Sequence, residues 1–233
     1  MWEKKIRKAI YTLNVDDYAS EITAITYPLI QRYAQKIQAD FIIINTRKYP
    51  EWPPVYEKFQ IYDLAKIGGH DWNIYIDSDA LIHPDMPDFT TFLARDTVLH
   101  FGQDFAPIRW RYDRFFRRDG RHIGSGNWFT MASDWCIELW KPLDDLTREE
   151  AVDNIFPIVD EIASGVIQPS HLIDDYVCSR NIAKYGLKFI SAWKLTEQYG
   201  FPRGGPWCWH AYTMPIEQKV VEMQKMLTQW RIA

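Results

Sequence analysis

The sequence predicts an α/β fold, with a mostly parallel central sheet and helices on both of its faces. First, strand and helix patterns alternate as strand–helix–strand–helix–strand between residues 9 and 76, an order typical of parallel strands joined by crossover helices. Second, a continuous apolar run at residues 41–44 is typical of a parallel strand covered on both faces. Third, the chain has no repeats, low-complexity segments or linkers, so we expect a single domain over residues 1–233.

Periodicity predicts the elements in chain order. We expect strands at residues 9–13, 41–44, 72–76, 97–101 and 187–191, the last of these being the final strand. We expect helices at residues 17–37, 59–67, 87–93, 133–140, 147–163, 170–185 and 215–230. Pro28 should kink or split the first helix, because proline lacks an amide hydrogen. Thr147 and Glu150 form a capping box, and Gly186 ends the helix that precedes it.

The composition excludes several classes of protein. A formal net charge of −4 argues against a globally basic nucleic-acid binder. The three cysteines lie far apart without a Cys-x-x-Cys pair, which excludes a disulfide framework or zinc knuckle and fits a reducing cytosol. No apolar stretch approaches the length of a signal-peptide core or a membrane span, so we expect a soluble, cytoplasmic protein.

Two carboxylates directly follow the predicted strand at residues 72–76. Asp77 and Asp79 are two residues apart, so in extended backbone they point the same way, about 6.6 Å apart, while Ser78 faces the other way. Hard oxygen ligands of this kind suit Mn²⁺ or Mg²⁺. Asp-x-Asp can also be a polar loop that only caps a strand. Its position at the carboxyl end of a buried strand, where open α/β sheets bind ligands, favours the metal site.

Two nucleotide-binding motifs are absent from the sequence. The first strand is not followed by Gly-x-Gly-x-x-Gly, and the chain contains no Walker loop. The sequence therefore lacks both the dinucleotide fingerprint and a P-loop. If a nucleotide binds to this chain, a metal ion must handle its phosphates.

Four segments, taken together, resemble metal-dependent glycosyltransferases of the GT-A fold, particularly the glycogenin-like and galactosyltransferase-like families. The segments are Tyr-Ile-Asp-Ser-Asp-Ala-Leu-Ile at 75–82, Gly-Ser-Gly-Asn at 124–127, Asp174-Asp175, and a late histidine, His210. The resemblance extends from about residue 9 to residue 213. It implies one Rossmann-like GT-A domain, with a nucleotide-sugar half at about 1–100 and an acceptor-side half at about 101–233.

The resemblance also implies a donor site. Asp77, Asp79 and His210 would hold Mn²⁺ or Mg²⁺ against the pyrophosphate of a nucleotide sugar, a UDP-sugar by preference. The donor-binding residues that it implies are Thr12, Leu13, Tyr18, Lys58, Asp77, Ser78, Ser125, Gly126, Asn127 and Arg203. Three of these residues have plainer interpretations. His210 can be a structural histidine among tryptophans, Tyr18 a core residue, and Lys58 an exposed helix lysine.

The sequence departs from the family pattern at two places. The usual Asn-Ser-Gly appears as Gly124-Ser125-Gly126-Asn127, so the pattern does not decide which side chain contacts the sugar. The late histidine normally belongs to His-x-x-Gly-x-x-Lys-Pro-Trp, whereas His210 leads into Ala-Tyr-Thr-Met-Pro without that lysine. Arg203, beside two glycines, could replace the charge of that lysine on the phosphate.

Asp174 and Asp175 are the candidates for the group that acts on the acceptor hydroxyl, since in the resembling families this helix caps the cleft. In an inverting enzyme one of them would be the general base. In a retaining enzyme the same place orients the sugar or supplies a nucleophile. The alternative is a pair of solvated acids near a helix N-terminus, where acids are favoured in any case.

An arginine-rich segment leaves the acceptor open. Between Arg109 and Arg121 six arginines are interleaved with aromatic residues. The segment is either a solvated loop, as most charge runs are, or an acceptor loop for an anionic partner, because arginine and aromatics grip phosphates and stack on bases. We expect a glycosyltransferase acting on a glycan or glycoconjugate. The alternatives are transfer to a hydroxymethylated base of viral DNA and a non-catalytic sugar- or metal-binding module.

Overall fold

The fold is described by a computed structural model, which covers residues 5–101, 127–155, 164–199, 207–211 and 214–232. The strands are β1 (Lys8–Leu13), β2 (Ala39–Ile44), β3 (Trp72–Ile76), β4 (Ala80–Ile82), β5 (Thr97–His100), β6 (Phe129–Ser133), β7 (Lys188–Ser191) and β8 (Cys208–His210). The α-helices are α1 (Ser20–Ile37), α2 (Ile61–Gly68), α3 (Arg148–Asp153), α4 (Ile173–Tyr185), α5 (Ala192–Gln198) and α6 (Ile216–Gln229). Shorter 3-10 segments lie at Pro54–Gln60, Phe89–Thr91, Asp134–Trp140 and Pro169–Leu172.

Six strands form the central sheet in the order β2-β1-β3-β6-β5-β7. The β1–β2, β1–β3 and β5–β7 pairs are parallel, whereas β6 runs antiparallel to both β3 and β5. This confirms the predicted α/β class with a mostly parallel sheet. The carboxyl ends of β1, β2 and β3 lie at the same end of the sheet, which is where parallel strands present ligand-binding residues.

Helices cover both faces of the sheet, as predicted. Side chains alternate along a strand, so Tyr11 and Tyr75 pack in one apolar cluster with residues of α2 and α4. Ile10 and Ile74 point to the other face, into a cluster that contains Ile30 and other residues of α1. The alternation therefore gives the molecule two cores, one on each side of the sheet.

One detail of the predicted elements is wrong. Residues 41–44 were expected to form a strand covered on both faces, but β2 lies at the edge of the sheet and Ile43 is exposed. Edge position depends on strand order, which the apolar run does not encode. Of the two effects predicted for Pro28, a kink or a split, the split is excluded, since α1 continues from Ser20 to Ile37 with the proline inside it.

Other predicted elements are confirmed or shortened. The Thr147–Glu150 capping box is present at the start of α3, and Gly186 ends α4 in the left-handed conformation with φ of 61°. The helices expected at 87–93 and 133–140 are 3-10 segments. Of the helix expected at 147–163, residues 156–163 lie outside the described residues. Strands β4, β6 and β8 and helix α5 were not predicted, and β8 follows the strand that was expected to be the last.

A small second sheet positions the late histidine. Strand β4 pairs antiparallel with β8, and the register sets Ala80 opposite His210. Helix α6 packs nearby in a third apolar cluster that includes Leu81 from β4, Met223 from α6 and Ile22 from α1. The C-terminal region is thereby held beside the residues that follow β3. Within the ranges that the structure describes, no helix combines the length and the apolar character needed to cross a membrane.

Candidate active site

Asp77, Asp79 and His210 lie together at the carboxyl end of β3, as the resemblance to GT-A glycosyltransferases implies. One ligand atom from each of them lies within 4.8 Å of the others. His210 Nε2 is 3.1 Å from Asp79 Oδ1 and 3.6 Å from Asp77 Oδ2, and its ring stacks on Trp128 at 5.2 Å. Two carboxylates and an imidazole are a donor set that suits a divalent cation such as Mn²⁺. The residues present therefore fit the metal that the resemblance implies.

Asp79 also contacts a lysine that the sequence analysis missed. Lys219, on α6, donates a hydrogen bond to Asp79 Oδ2, and Tyr18 OH lies 3.4 Å from the same oxygen. Burial alone would raise the pKa of Asp79, but His210 and Lys219 outweigh it, so that pKa lies below its usual value. Burial alone would lower the pKa of Lys219, yet the charge of Asp79 raises it. Asp79 is therefore an ionised carboxylate between two cationic or polar partners.

Asp77 has a different environment. Tyr75 OH donates to Asp77 Oδ1 at 2.5 Å, and Lys58 Nζ lies 3.9 Å from the same oxygen. Burial raises the pKa of Asp77 above its usual value, and the charges of Lys58 and His210 oppose that rise without cancelling it. The two acids of one motif thus have pKa values shifted in opposite directions.

Lys58 is a buried residue, so its interpretation as an exposed helix lysine is wrong. Its side chain, in the Pro54–Gln60 segment, is 1% exposed and pairs with Asp174 Oδ2. The ammonium also lies 4.3 Å from the centre of the Tyr75 ring. Burial would lower the pKa of Lys58, but Asp174 and Asp77 outweigh it and raise that pKa. Lys58 is therefore a fixed positive charge between β3 and α4.

Asp174 and Asp175 have distinct environments at the start of α4. Asp174 is buried and paired with Lys58, so it is not a solvated helix acid. Asp175 is half-buried, and among the described residues its Oδ1 has no hydrogen-bond partner. Burial, followed by the charge of Asp174, raises the pKa of Asp175 well above its usual value. Asp175 is the member of the pair without a lysine partner.

A cavity of about 190 Å³ opens beside the acids. It is lined by Leu13, Val15, Tyr18, Pro54, Val55, Tyr75, Asp77, Ser78, Asp79 and His210. Of the predicted donor-binding residues, Leu13, Tyr18, Asp77 and Ser78 therefore line this cavity, whereas Thr12 is fully buried and does not. Val15 and Val55 were missed by the sequence analysis, since isolated valines carry no functional signal. An apolar wall facing a few polar groups is the usual composition of a small-molecule site.

Some predicted site residues lie outside the described residues. These are Ser125, Gly126, Arg203 and the whole arginine-rich segment at 109–121. Asn127 is described; it is buried, and its backbone forms a hydrogen bond with Asp175. The segment that follows Gly126 therefore reaches the start of α4.

Comparison with known proteins supports the fold. Neither a protein-family model nor a curated protein sequence matches the chain. Its structure is similar to that of a glycosyltransferase involved in the glycosylation of the major capsid of PBCV-1, at 11% identity and a TM-score of 0.53, over 93% of this chain and 99% of that one. Similarity to A197 from STIV is weak, with 14% identity, coverage of 59% and 70%, and a TM-score of 0.35. The first of these similarities shows that the chain has a fold on which a glycosyltransferase is built.

Proposed function

We propose that this protein is a metal-dependent glycosyltransferase that transfers a sugar from a UDP-sugar to a hydroxyl acceptor. The observation that carries the proposal is the cluster of Asp77, Asp79 and His210 at the mouth of a partly apolar cavity. Fold alone does not determine a function, so the proposed activity depends on the residues of this site. The similar glycosyltransferase structure supports it at the level of fold.

The acids need a cation before a nucleotide diphosphate can bind. Each close pair of like charges between a carboxylate and a phosphate costs about 4 kcal/mol at an effective dielectric constant near 20. Asp77, Asp79 and His210 would hold Mn²⁺ or Mg²⁺, which would neutralise the charge that builds on the leaving diphosphate. Lys58 supports this arrangement, because its buried ammonium offsets part of the charge of Asp77.

The cavity next to the acids suits the nucleoside of the donor. Leu13, Val15 and Val55 supply an apolar wall, and Tyr18 supplies an aromatic face with its hydroxyl directed to Asp79. A planar base would remove this apolar surface from water, and stacking on Tyr18 would orient it. Ser78, which lies between the two acids and lines the cavity, is a polar contact for the donor.

Asp175 is our candidate for the acceptor side of the reaction. Asp174 is engaged in the buried ion pair with Lys58, so in this proposal its role is to position Lys58. Among the described residues the Oδ1 of Asp175 has no hydrogen-bond partner, so this oxygen is our candidate proton acceptor. In an inverting reaction Asp175 would take the proton of the acceptor hydroxyl. In a retaining reaction it would instead face the sugar.

A glycan or glycoconjugate is the proposed acceptor. The similar glycosyltransferase takes part in glycosylating a viral capsid, which supports an acceptor of this kind. A second candidate, a hydroxymethylated base of DNA, is favoured by the six arginines between Arg109 and Arg121, which with Asp113 and Asp119 give a local charge of 6 − 2 = +4. An enzyme of that kind would have to expose the base first.

A donor screen with UDP release as its readout tests the proposal. Purified protein with Mn²⁺ is incubated with a panel of UDP-sugars, first alone, then with glycans, then with hydroxymethylated DNA. Release stimulated by glycans supports the proposed acceptor, and release stimulated only by DNA replaces it with the second candidate. UDP-sugar binding without turnover under every condition would favour the non-catalytic binding module.

The arginine segment offers an independent test of the DNA acceptor. If it binds duplex DNA, log affinity should fall with log salt at a slope of about −0.9 for each phosphate neutralised. Replacing Arg117 and Arg118 with Ala should flatten that slope and leave UDP binding unchanged. Under the glycan proposal, DNA does not bind at moderate salt.

A further inference from the structure

Lys219 brings a positive charge from the C-terminal helix into the proposed metal site. It lies 140 residues from Asp79 along the chain, and its side chain is only 12% exposed. Its ammonium donates to Asp79 Oδ2 and lies 3.3 Å from Tyr18 OH. Tyr18 and Lys219 therefore contact one oxygen of the carboxylate, while His210 contacts the other.

The fold holds this ammonium in place. Helix α6 packs through Met223, which is fully buried, against Ile22 of α1 and Leu81 of β4. Leu81 is two residues from Asp79, so the helix that carries Lys219 rests on the same short segment that carries the acid. The segments that carry Lys219 and Asp79 are thus packed against each other. The Lys219–Asp79 contact therefore differs from an exposed ion pair, which solvent weakens.

The position of Lys219 has an electrostatic consequence for any cation at Asp77, Asp79 and His210. A divalent ion there would share the Asp79 carboxylate with the ammonium, and the two positive charges would repel each other. With a nucleotide diphosphate bound, the ammonium would pair with the phosphate oxygens and leave the Asp79 carboxylate to the ion. The divalent ion would then bind weakly by itself and more tightly together with the nucleotide.

We propose that Lys219 is a counter-cation of Asp79 that weakens binding of a free divalent ion, and so makes metal binding depend on the nucleotide diphosphate. This inference rests on the proposed metal site. Because coupling between two ligands is reciprocal, the same residue makes nucleotide binding depend on the metal. Lys219 thereby disfavours a metal-loaded cleft that lacks a donor.

The test is the Mn²⁺ affinity of the whole protein, measured by calorimetry and by electron paramagnetic resonance, without and with UDP. Lys219→Met keeps the length of the side chain and removes its charge. We expect it to bind free Mn²⁺ roughly ten- to a hundredfold more tightly than the wild type. The ratio of the Mn²⁺ affinities with and without UDP should fall by a similar factor. Lys219→Arg retains the charge and should keep the weak affinity for free Mn²⁺.

A lysine on the same helix provides the matched control. Lys225 pairs with Glu222 three residues away, is 65% exposed, and is not among the residues that line the cavity. Lys225→Met should leave Mn²⁺ affinity unchanged. Thermal melts of all three variants check that each is folded before affinities are compared.

The outcomes separate this inference from the metal site on which it rests. If the wild type and Lys219→Met bind Mn²⁺ with equal affinity, or the variant binds it more weakly, Lys219 is not an opposing charge and the inference is wrong. Loss of UDP affinity without a change in Mn²⁺ affinity would also overturn it, since Lys219 would then be only a nucleotide contact. If neither protein binds Mn²⁺, even with UDP, the proposed metal site itself fails.

Discussion

Lys58 and Asp174 form a buried ion pair that joins the segment before α2 to the start of α4. The two residues are 116 positions apart in the chain, and their side chains are 1% and 11% exposed. Because Asp77 lies 3.9 Å from the same ammonium, the pair fixes the position of α4 relative to the acids that follow β3. One lysine therefore links the acids that follow β3 to those at the start of α4.

Removing one partner of this pair should destabilise the fold more than removing both. Lys58→Met leaves Asp174 buried without its cation, which typically costs about 3–5 kcal/mol. The double variant Lys58→Met with Asp174→Asn removes the charges of both partners, and only Asp77 still loses a neighbouring cation, so we expect it to recover part of that loss. Urea unfolding of the two single variants and the double variant measures the coupling. A loss in the double variant equal to the sum of the single losses would contradict a direct pairing.

Asp175 and Asp174 should respond differently to loss of charge. Asp175→Asn should lower the rate of transfer by about 10²–10⁴, the range for loss of a general acid–base group, with donor binding retained. Asp174→Asn should mainly lower the free energy of unfolding, because it leaves the buried Lys58 without its carboxylate partner. Turnover and UDP affinity are measured for both variants, with unfolding free energies alongside. A normal rate in Asp175→Asn would remove it from the chemical step and return the choice to Asp174.

The raised pKa of Asp175 predicts a pH dependence of stability. Between the unfolded pKa, about 3.9, and the higher native pKa, the native state holds a proton that the unfolded state has lost. Stability therefore declines as pH rises through this window. Asp175→Asn removes the ionisable group, so it should be more stable than the wild type at pH 7, and the advantage should shrink towards pH 4. Urea unfolding at several pH values checks this, and a difference independent of pH would contradict it.

His210 should be required for metal affinity. His210→Ala removes one of three candidate ligands and should weaken Mn²⁺ binding by at least about tenfold, because even loss of a residue outside the ligand set commonly costs that much. His83 supplies a matched control, since it follows β4, packs on Trp230 and is not part of the cluster. Mn²⁺ titrations of His210→Ala and His83→Ala are compared. Unchanged affinity in the first variant would make His210 a structural residue stacked on Trp128.

Local patterns in the sequence predicted much of the fold and the centre of the site. Strand β3 is long enough and apolar enough to be recognised from the sequence, and the two acids follow it directly. Strands β4 and β8 have only three residues each, too few for a periodic signal, although their pairing is what brings His210 to Asp79. The trio was predicted by resemblance rather than by these strands.

The missed and misjudged lysines have a common physical cause. Lys58 and Lys219 are ordinary helical lysines in sequence, and such residues are usually solvated. Lys58 is buried and Lys219 is half-buried, and each is paired with a carboxylate from a distant segment, Asp174 for the first and Asp79 for the second. Tertiary packing decides that pairing, and no local pattern around either lysine reports it.

The most direct test of the account is calorimetry of UDP binding with and without Mn²⁺, in the wild type and in Asp79→Ala. We expect the wild type to bind UDP tightly only when Mn²⁺ is present, because the carboxylates repel the diphosphate without it. Asp79→Ala should lose most of this dependence on Mn²⁺. Equal UDP affinity of the wild type before and after chelation of the metal would contradict metal-dependent binding of the donor.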